Sequence, residues 1–234
     1  MISPHLDDAV LSLGAYVADV VRSGEPVEVW TAFTRAPAAG AVPRGLRRFA
    51  DYRARIAEDG HALELLGAGA RRLDLPERVW RTPPARGLGA AFRTPVDATG
   101  FEQLGPLEHA VAEALARPGS RLLAPLGIGH HADHLEVAVA ALNVALRLGA
   151  TDRVGFYEDF YALGNGARRR HPVSRDDAGP LWRRVRDAPG WAGPLEGIVL
   201  GVTPLVASGP SLSTYVPASS ALAWRPTPHP VEPW

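Results

Sequence analysis

Short apolar runs alternate along this chain with segments of helical periodicity, and this alternation constrains the fold more than any other feature. Short apolar runs bounded by turn residues are typical of buried strands, and apolar residues three and four positions apart indicate helices. The pattern predicts an α/β protein in which helices cover a mostly parallel sheet. The predicted strands are 27–33, 71–75, 121–126, 153–159 and 196–202, and the predicted helices are 8–22, 49–70, 103–117 and 132–148.

The helices have recognisable ends and faces. The helix at 49–70 is expected to end at Gly67. The apolar face predicted for the helix at 8–22 consists of Val10, Leu11, Gly14, Val17, Ala18 and Val21.

Two stretches rich in Pro, Gly and Arg, 35–46 and 80–100, lack periodicity and are predicted to be loops.

The length and composition favour a single domain. The chain has 234 residues, of which 46% are hydrophobic, which is enough for one globular core. We expect a domain over residues 1–223 and a proline-rich tail at 224–234, WRPTPHPVEPW. No apolar run nears the roughly 20 residues that cross a bilayer, and the N-terminus lacks a signal-peptide pattern. These observations favour a cytoplasmic protein.

The charged residues narrow the possible functions. Basic and acidic residues balance at 25 each, so neither a nucleic acid nor a membrane surface is an expected partner. All basic residues are Arg, and Cys is absent from the sequence. Lysine Schiff bases, thiolate catalysis and cysteine zinc sites are therefore excluded. Catalysis would have to use other polar side chains or a metal ion.

Two polar clusters each lie between a predicted strand and a predicted helix. HLDD, residues 5–8, precedes the first helix, and HHADH, residues 130–134, follows the strand at 121–126. The carboxyl ends of parallel strands share one edge of the sheet, where ligands bind, so the two clusters are expected to converge. Helix capping is the ordinary alternative for HLDD alone. It explains HHADH less well, because three of the chain's eight histidines fall within those five residues.

The residue types in these clusters match a catalytic metal site. Zinc binds imidazole nitrogen and carboxylate oxygen, and a catalytic zinc keeps one position for water. We predict that His5, Asp8 and His134 bind Zn²⁺ or another divalent metal. Asp7 would then accept a proton from metal-bound water, the nucleophile of the predicted reaction.

Further residues are predicted to complete the site. His131 would stabilise an oxyanion or protonate a leaving group, with Asp133 orienting its ring. Tyr157, Glu158 and Asp159 end a predicted strand at the same edge of the sheet, and are candidates for substrate binding. A polar cap at the strand end is their alternative.

The motifs resemble those of the PIG-L or LmbE-like family of zinc-dependent de-N-acetylases. The family's first motif, His-any residue-Asp-Asp, matches residues 5–8, and its second, His-any residue-Asp-His, matches residues 131–134. The similarity covers most of residues 2–162. Between the motifs, the helix positions that resemble the family's spacing are Arg55, Glu58, Ala62, Leu66 and Gly67.

This resemblance implies a Rossmann-like, three-layer αβα fold. It also implies hydrolysis of an acetamide on an amino sugar or sugar-containing conjugate, with release of acetate and a free amine. The expected partner is therefore a small-molecule N-acetyl sugar or glycoconjugate, and the sequence does not indicate an oligomeric state. By position, the family's roles are zinc binding for His5, Asp8 and His134, general base for Asp7, and oxyanion stabilisation for His131 with Asp133.

Two features depart from the family's pattern. Only Met1–Pro4 precede the first motif, so the first strand is expected to be short or truncated, and the natural N-terminus could lie upstream of Met1. Leu6 replaces the proline that is common between the His and the first Asp.

Alternative functions remain at this point. One is a non-catalytic or vestigial member that binds a sugar-like ligand, although retention of Asp7 argues against it. Another is a metallophosphoesterase, whose two-metal site would need more ligands than the clusters supply. The loop arginines are expected to be solvated, with contact to an anionic substrate group as the alternative; they are Arg35, Arg44, Arg81, Arg86 and Arg93.

Overall fold

The computed structural model describes residues 1–38, 42, 46–47, 50–81, 91, 100–127 and 131–157. In chain order the main elements are β1 (Ile2–Ser3), α1 (Asp8–Arg22), β2 (Glu28–Thr31), α2 (Tyr52–Leu66), β3 (Gly69–Arg72), α3 (Leu104–Ala116), β4 (Leu122–Pro125), α4 (Ala132–Leu148) and β5 (Val154–Tyr157). Short 3₁₀ turns occupy Arg78–Trp80 and Thr151–Arg153. The strand predicted at 196–202, the tail at 224–234 and the domain end at 223 lie outside the described residues.

The strand pairs in the described part of the chain are all parallel. β1 pairs with β2, β2 with β3, and β4 with β5, while β4 also runs beside β1. Hydrogen bonds join β1, β2 and β3 in one sheet and β4 and β5 in a second. Because β1 and β4 lie side by side, the spatial order is β3-β2-β1-β4-β5, and the direction of winding reverses between β1 and β4. In a doubly wound sheet of this order, ligands bind at the switch point beyond the carboxyl ends of the strands.

Helices cover both faces of the sheet. Successive side chains of a strand point to opposite faces. Trp30, Ala124 and Phe156 pack in the core formed with α3 and α4, whereas Leu123 and Tyr157 pack with buried side chains of α1. The predicted three-layer α/β architecture is confirmed.

The element bounds agree closely with the predicted ones. Both α1 and α4 begin and end at the predicted residues. α2 begins at Tyr52, three residues after the predicted start, and is capped by Gly67 in the left-handed conformation, as predicted. β3 begins at Gly69, two residues before the predicted strand. None of the helices in the described ranges has the length and apolar character needed to cross a membrane.

The buried face of α1 differs from the predicted one. Of the predicted face only Val17 is buried, and Leu11 is 50% exposed. The first turn sets the phase of the helix, because Ser3 Oγ in β1 accepts a hydrogen bond from the Ala9 N–H at 3.1 Å. The residues buried along α1 are Ala9, Ser12, Leu13, Tyr16, Val17 and Val20.

The first strand is short, as expected. β1 has two residues, whereas β2 and β4 have four each. At the amino ends of the strands a cavity of about 930 Å³ is lined by Met1, Tyr16, Trp30 and Leu122 among others. It lies at the edge of the sheet opposite the two polar clusters.

Candidate metal centre

The turn between β1 and α1 carries the first cluster and has an unusual backbone. Asp7 has a φ of 76°, in the left-handed region that residues with side chains seldom adopt. Its N–H donates to Oδ1 of Asp59 at 2.9 Å, while Ser3 Oγ donates to His5 O at 2.8 Å and accepts from the Ala9 N–H. The Asp7 side chain is exposed and makes no capping hydrogen bond. Helix capping therefore does not account for Asp7.

The second cluster lies between β4 and α4. Gly127 has a φ of 74°, and a Cβ there would lie 2.6 Å from a leucine side chain, so the turn requires glycine. Residues 128–130 lie outside the described residues. His131 immediately precedes α4, which places Asp133 and His134 in the first turn, where they are 0% and 1% exposed.

Donor atoms from the two clusters form a tight triangle. His5 Nδ1 lies 3.1 Å from Asp8 Oδ2 and 3.2 Å from His134 Nε2, and His134 Nε2 lies 3.2 Å from Asp8 Oδ2. A tetrahedral zinc ion with bonds of about 2.0–2.1 Å separates its ligands by about 3.3 Å. The triangle therefore has the size and the donor types that a zinc ion requires. The fold brings together the three residues predicted as ligands.

His131 stands beside this triangle. Its ring centroid is 4.9 Å from that of His5 and 5.1 Å from that of His134. These three histidines form a second possible group of donors, with nitrogens within 4.8 Å of one another. The triangle containing Asp8 is tighter and combines imidazole with carboxylate, so it is the better candidate ligand set.

Asp133 is fully buried and uses both of its oxygens. Oδ2 lies 3.0 Å from His5 Nε2 but 4.0 Å from His131 Nδ1. Oδ1 accepts from Arg81 Nη2 at 2.7 Å, and the Arg78 N–H donates to both oxygens at 2.9 and 3.1 Å. Asp133 was predicted to orient the ring of His131, whereas the imidazole nearest to it is that of His5. A carboxylate on the outer nitrogen of a ligand histidine fixes the tautomer and orientation of that ligand.

The site distinguishes its two adjacent carboxyl groups. Loss of hydration and the charge of Asp8 raise the pKa of Asp7 to about 6. Burial would raise the pKa of Asp8 too, but His134 and His5 hold it well below its usual range. Asp8 is thus suited to remain ionised among the imidazoles, and Asp7 to exchange a proton near neutral pH.

The pKa values of His5 and His131 are shifted in opposite directions. Burial by itself would lower the pKa of His5, but the charge of Glu77 and the two hydrogen-bonded carboxylates raise it well above its usual value. Burial and the charges of His5 and His134 lower the pKa of His131 to about 3. His131 is therefore a neutral imidazole at pH 7.

Of the three residues predicted to bind substrate, Tyr157 is the one within the described part of the chain, and its side chain is not at the site. Tyr157 is 1% exposed, and its hydroxyl donates to Ile2 O at 3.3 Å. Its side chain points to the α1 face of the sheet, so its hydroxyl is used within the core. Glu158 and Asp159 lie outside the described residues.

The loop arginines divide into two kinds. Arg35 is exposed and pairs with Asp74 at 3.2 Å, as expected for a solvated residue. Arg81 is 5% exposed and forms ion pairs with Asp133 and Glu136, so its predicted solvation is wrong. The other three, Arg44, Arg86 and Arg93, lie outside the described residues.

Three buried residues that support the site were not predicted from the sequence: Asp59, Arg81 and Glu136. Glu136 lies three positions after Asp133 in an otherwise apolar helix, and that spacing places both carboxylates on one face. This spacing was the available signal. No sequence signal marks Asp59 as buried, because it follows the exposed Glu58 in a helix with many polar residues.

Comparison with known proteins gives one family match. The family described as PIG-L, GlcNAc-PI de-N-acetylase, matches residues 1–145. No curated protein matches the chain.

Several solved structures share the fold. A deacetylase of teicoplanin biosynthesis in complex with teicoplanin is 25% identical, with a TM-score of 0.60 over 71% of this chain and 72% of that one. The zinc-inhibited form of teicoplanin deacetylase is 26% identical, with a TM-score of 0.59 over 70% of this chain and 68% of that one. A deacetylase of the A40926 pseudoaglycone is 27% identical, with a TM-score of 0.53 over 69% and 63%. The matched part of this chain thus spans about two thirds of the length of these relatives.

Proposed function

The chain belongs to the PIG-L family of GlcNAc-PI de-N-acetylases, and we propose that it is a metal-dependent enzyme that removes the N-acetyl group from an amino sugar or sugar-containing conjugate. The observation that carries this proposal is the donor triangle of His5, Asp8 and His134. His5 and His134 are 129 positions apart in the sequence and 3.2 Å apart in space. Neither helix capping nor core packing requires two imidazole nitrogens to face one carboxylate oxygen.

A divalent cation fits this triangle. Two imidazole nitrogens and one carboxylate oxygen are ligands that catalytic zinc uses, with a further position left for solvent or substrate. His5 would bind through Nδ1, because its Nε2 lies against Asp133. A cation held there would polarise the acetyl carbonyl and lower the pKa of a water molecule.

Asp7 is the proposed general base. Asp7 is an accessible residue whose carboxyl group is partly desolvated, and it is adjacent in sequence to the proposed ligand Asp8. A pKa of about 6 lets it accept a proton at neutral pH and pass that proton to the leaving amine. The hydrogen bond from its backbone to Asp59 holds it in place.

His131 is proposed to stabilise the developing oxyanion. Its ring lies next to those of both proposed ligand histidines. A neutral imidazole there is able to donate a hydrogen bond to a substrate oxygen at the metal site. Asp133 is proposed to act through the imidazoles, chiefly that of His5.

The substrate class rests on the relatives. The family description names an N-acetylglucosamine conjugate, and the similar structures are deacetylases described with teicoplanin or the A40926 pseudoaglycone. We propose a small-molecule N-acetyl sugar or glycoconjugate as the substrate of this chain.

The test is acetate release from a panel of N-acetylglucosamine conjugates. Chelator should abolish activity, and one equivalent of cation should restore it. Zinc, cobalt and manganese are titrated upward from one equivalent, because one similar deacetylase is described in a zinc-inhibited form. Asp7→Asn should lower kcat by about 100-fold or more, while Asp19→Asn, in the helix α1 that follows Asp7, serves as the matched control. Activity that survives both chelation and Asp7→Asn would overturn the proposal.

A further inference from the structure

A buried ion cluster adjoins the candidate metal centre. Arg81 is 5% exposed, and the two carboxylates it contacts, Asp133 and Glu136, are 0% exposed. Arg81 Nη2 donates to Asp133 Oδ1 at 2.7 Å and to Glu136 Oε2 at 2.8 Å, and Nε donates to Pro76 O at 3.1 Å. Burying a guanidinium costs free energy unless its donors find acceptors. The three bonds therefore define one orientation of this side chain.

The side of the cluster away from the metal ligands is also anchored. Glu136 Oε1 accepts the backbone N–H of Gln103, the residue that precedes α3. The Arg81 guanidinium lies 5.2 Å from the ring of Phe33, which in turn lies 5.8 Å from the ring of His5. The cluster is thus attached to the start of α3 and packs beside a proposed ligand.

Asp133 connects the cluster to the ligands. Its Oδ1 accepts from Arg81, its Oδ2 lies 3.0 Å from His5 Nε2, and the Arg78 N–H donates to both oxygens. With Nε2 in that contact, His5 presents Nδ1 to Asp8 and His134. Because the imidazole ring is rigid, a rotation of the Asp133 carboxylate would carry Nδ1 out of the donor triangle.

We propose that Arg81 is a positioning residue of the metal centre, which acts through Asp133 to hold His5 in the orientation that binds a cation through Nδ1. This inference rests on the metal-dependent function proposed above. Glu136 anchors the guanidinium on its other side and balances its charge. If Arg81 were only a structural tie, its removal would lower stability and leave metal affinity unchanged.

The experiment measures the zinc dissociation constant by competition with a chelator of known affinity, and needs no substrate. The principal variant is Arg81→Gln with Glu136→Gln, which removes one buried positive and one buried negative charge together. Changes behind a ligand weaken metal binding by about 10- to 100-fold. We expect the lower end, about tenfold, because Arg81 contacts Asp133 and not a ligand. The absorption spectrum of the cobalt-substituted variant should change as well, since it reports ligand geometry.

Two further variants separate positioning from stability. Glu136→Gln by itself keeps the bond from Arg81 to Asp133 and should change the dissociation constant less than threefold. Arg153→Gln is the matched control: Arg153 donates to the carbonyls of Leu115 and Ser120, away from the site. It should lower stability without affecting zinc binding.

The outcomes are distinct. If the double variant does not fold, Arg81→Lys replaces it; lysine keeps the charge but cannot make all three bonds, so zinc binding should weaken severalfold. An unchanged dissociation constant and cobalt spectrum in whichever variant folds would overturn the role of Arg81. Wild-type protein that binds neither zinc nor cobalt would instead overturn the proposed function.

Discussion

The backbone N–H of Asp7 donates a hydrogen bond to Oδ1 of Asp59 at 2.9 Å, and this bond ties the first turn of α1 to α2. Asp59 is buried, and its other oxygen pairs with Arg72 in β3, whose guanidinium also reaches Thr31 Oγ1 at 3.3 Å. A left-handed backbone at a residue such as Asp7 costs on the order of 1–3 kcal/mol and persists where its surroundings determine it. Asp59 supplies part of that support.

Removing this support should impair catalysis more than metal binding. Asp59→Ala leaves the Asp7 N–H without its acceptor, so the proposed base is no longer held in place. We expect kcat to fall by about 10- to 100-fold, because misplacement of a catalytic group by about 1 Å has effects of that size. Bound metal per chain should stay the same. Acetate release and metal analysis on the same preparation check both expectations.

Arg72→Gln is the companion variant for Asp59→Ala. It removes the ion pair but keeps the carboxylate that accepts from Asp7, so its effect on kcat should be smaller. Wild-type kcat in folded Asp59→Ala protein would show that Asp59 does not position the base.

Metal binding should stabilise the fold. A cation that binds only the folded chain adds about 2.7 kcal/mol at a free concentration 100 times its Kd, which raises the Tm by roughly 5–10 °C for a chain of this size. Thermal unfolding followed by circular dichroism, with zinc and with chelator, measures the difference. His134→Ala should abolish the shift and His109→Ala, at an exposed position on α3, should preserve it. A shift of equal size in both variants would place the bound metal elsewhere.

Gly127 should be intolerant of any side chain. Its φ is 74°, and a Cβ there would approach Leu135 Cδ2 to 2.6 Å. Gly119 has a similar φ of 72° but nothing within 4 Å of its added Cβ. We expect Gly119→Ala to cost about 1 kcal/mol from the backbone and Gly127→Ala about 2–4 kcal/mol, since crowding adds to the same strain. Urea unfolding measures the free energy of unfolding of both variants. Equal losses would show that contact with Leu135 adds nothing to the backbone strain.

The ring of His131 should resist protonation. Burial and the charges of His5 and His134 lower its pKa to about 3, whereas an unfolded histidine titrates near 6.5. The unfolded chain therefore binds more protons in this range, and the stability that His131 contributes above pH 6.5 is lost as the pH falls towards 3. A cation bound to the proposed ligands would also lower the pKa of His131, because it adds positive charge beside the ring.

This behaviour is measurable by comparison with His131→Gln. Between pH 7 and pH 5 the free energy of unfolding of the wild type should fall by about 2 kcal/mol more than that of the variant. Urea unfolding at a series of pH values gives both curves, and parallel curves would mean that His131 titrates normally.

Tyr157→Phe distinguishes a core residue from a substrate contact. The hydroxyl donates to Ile2 O inside the sheet, so its loss should cost about 1 kcal/mol of stability. The KM for N-acetyl substrates should not change. A raised KM with unchanged stability would instead support the substrate role predicted from the sequence.

Local patterns in the sequence determined the elements and the identity of the clustered residues. The spacing of apolar side chains and the turn residues located α1 and α4 to the residue, because helix periodicity and capping act over a few positions. The strand-helix alternation predicted a parallel sheet, and parallel strands place their carboxyl ends at one edge. That rule was sufficient to bring together His5, Asp8 and His134.

Only the tertiary structure decided which partner each charged group meets. Arg81 was predicted to be a solvated loop residue, yet the packing of α3 and α4 over the sheet buries it against Asp133 and Glu136. Asp133 was assigned to its sequence neighbour His131 but lies against His5, 128 positions away. Such contacts depend on the register and depth at which whole layers pack, and a buried charge takes whichever partner the packing brings within reach, since leaving it unpaired costs more than any local preference contributes.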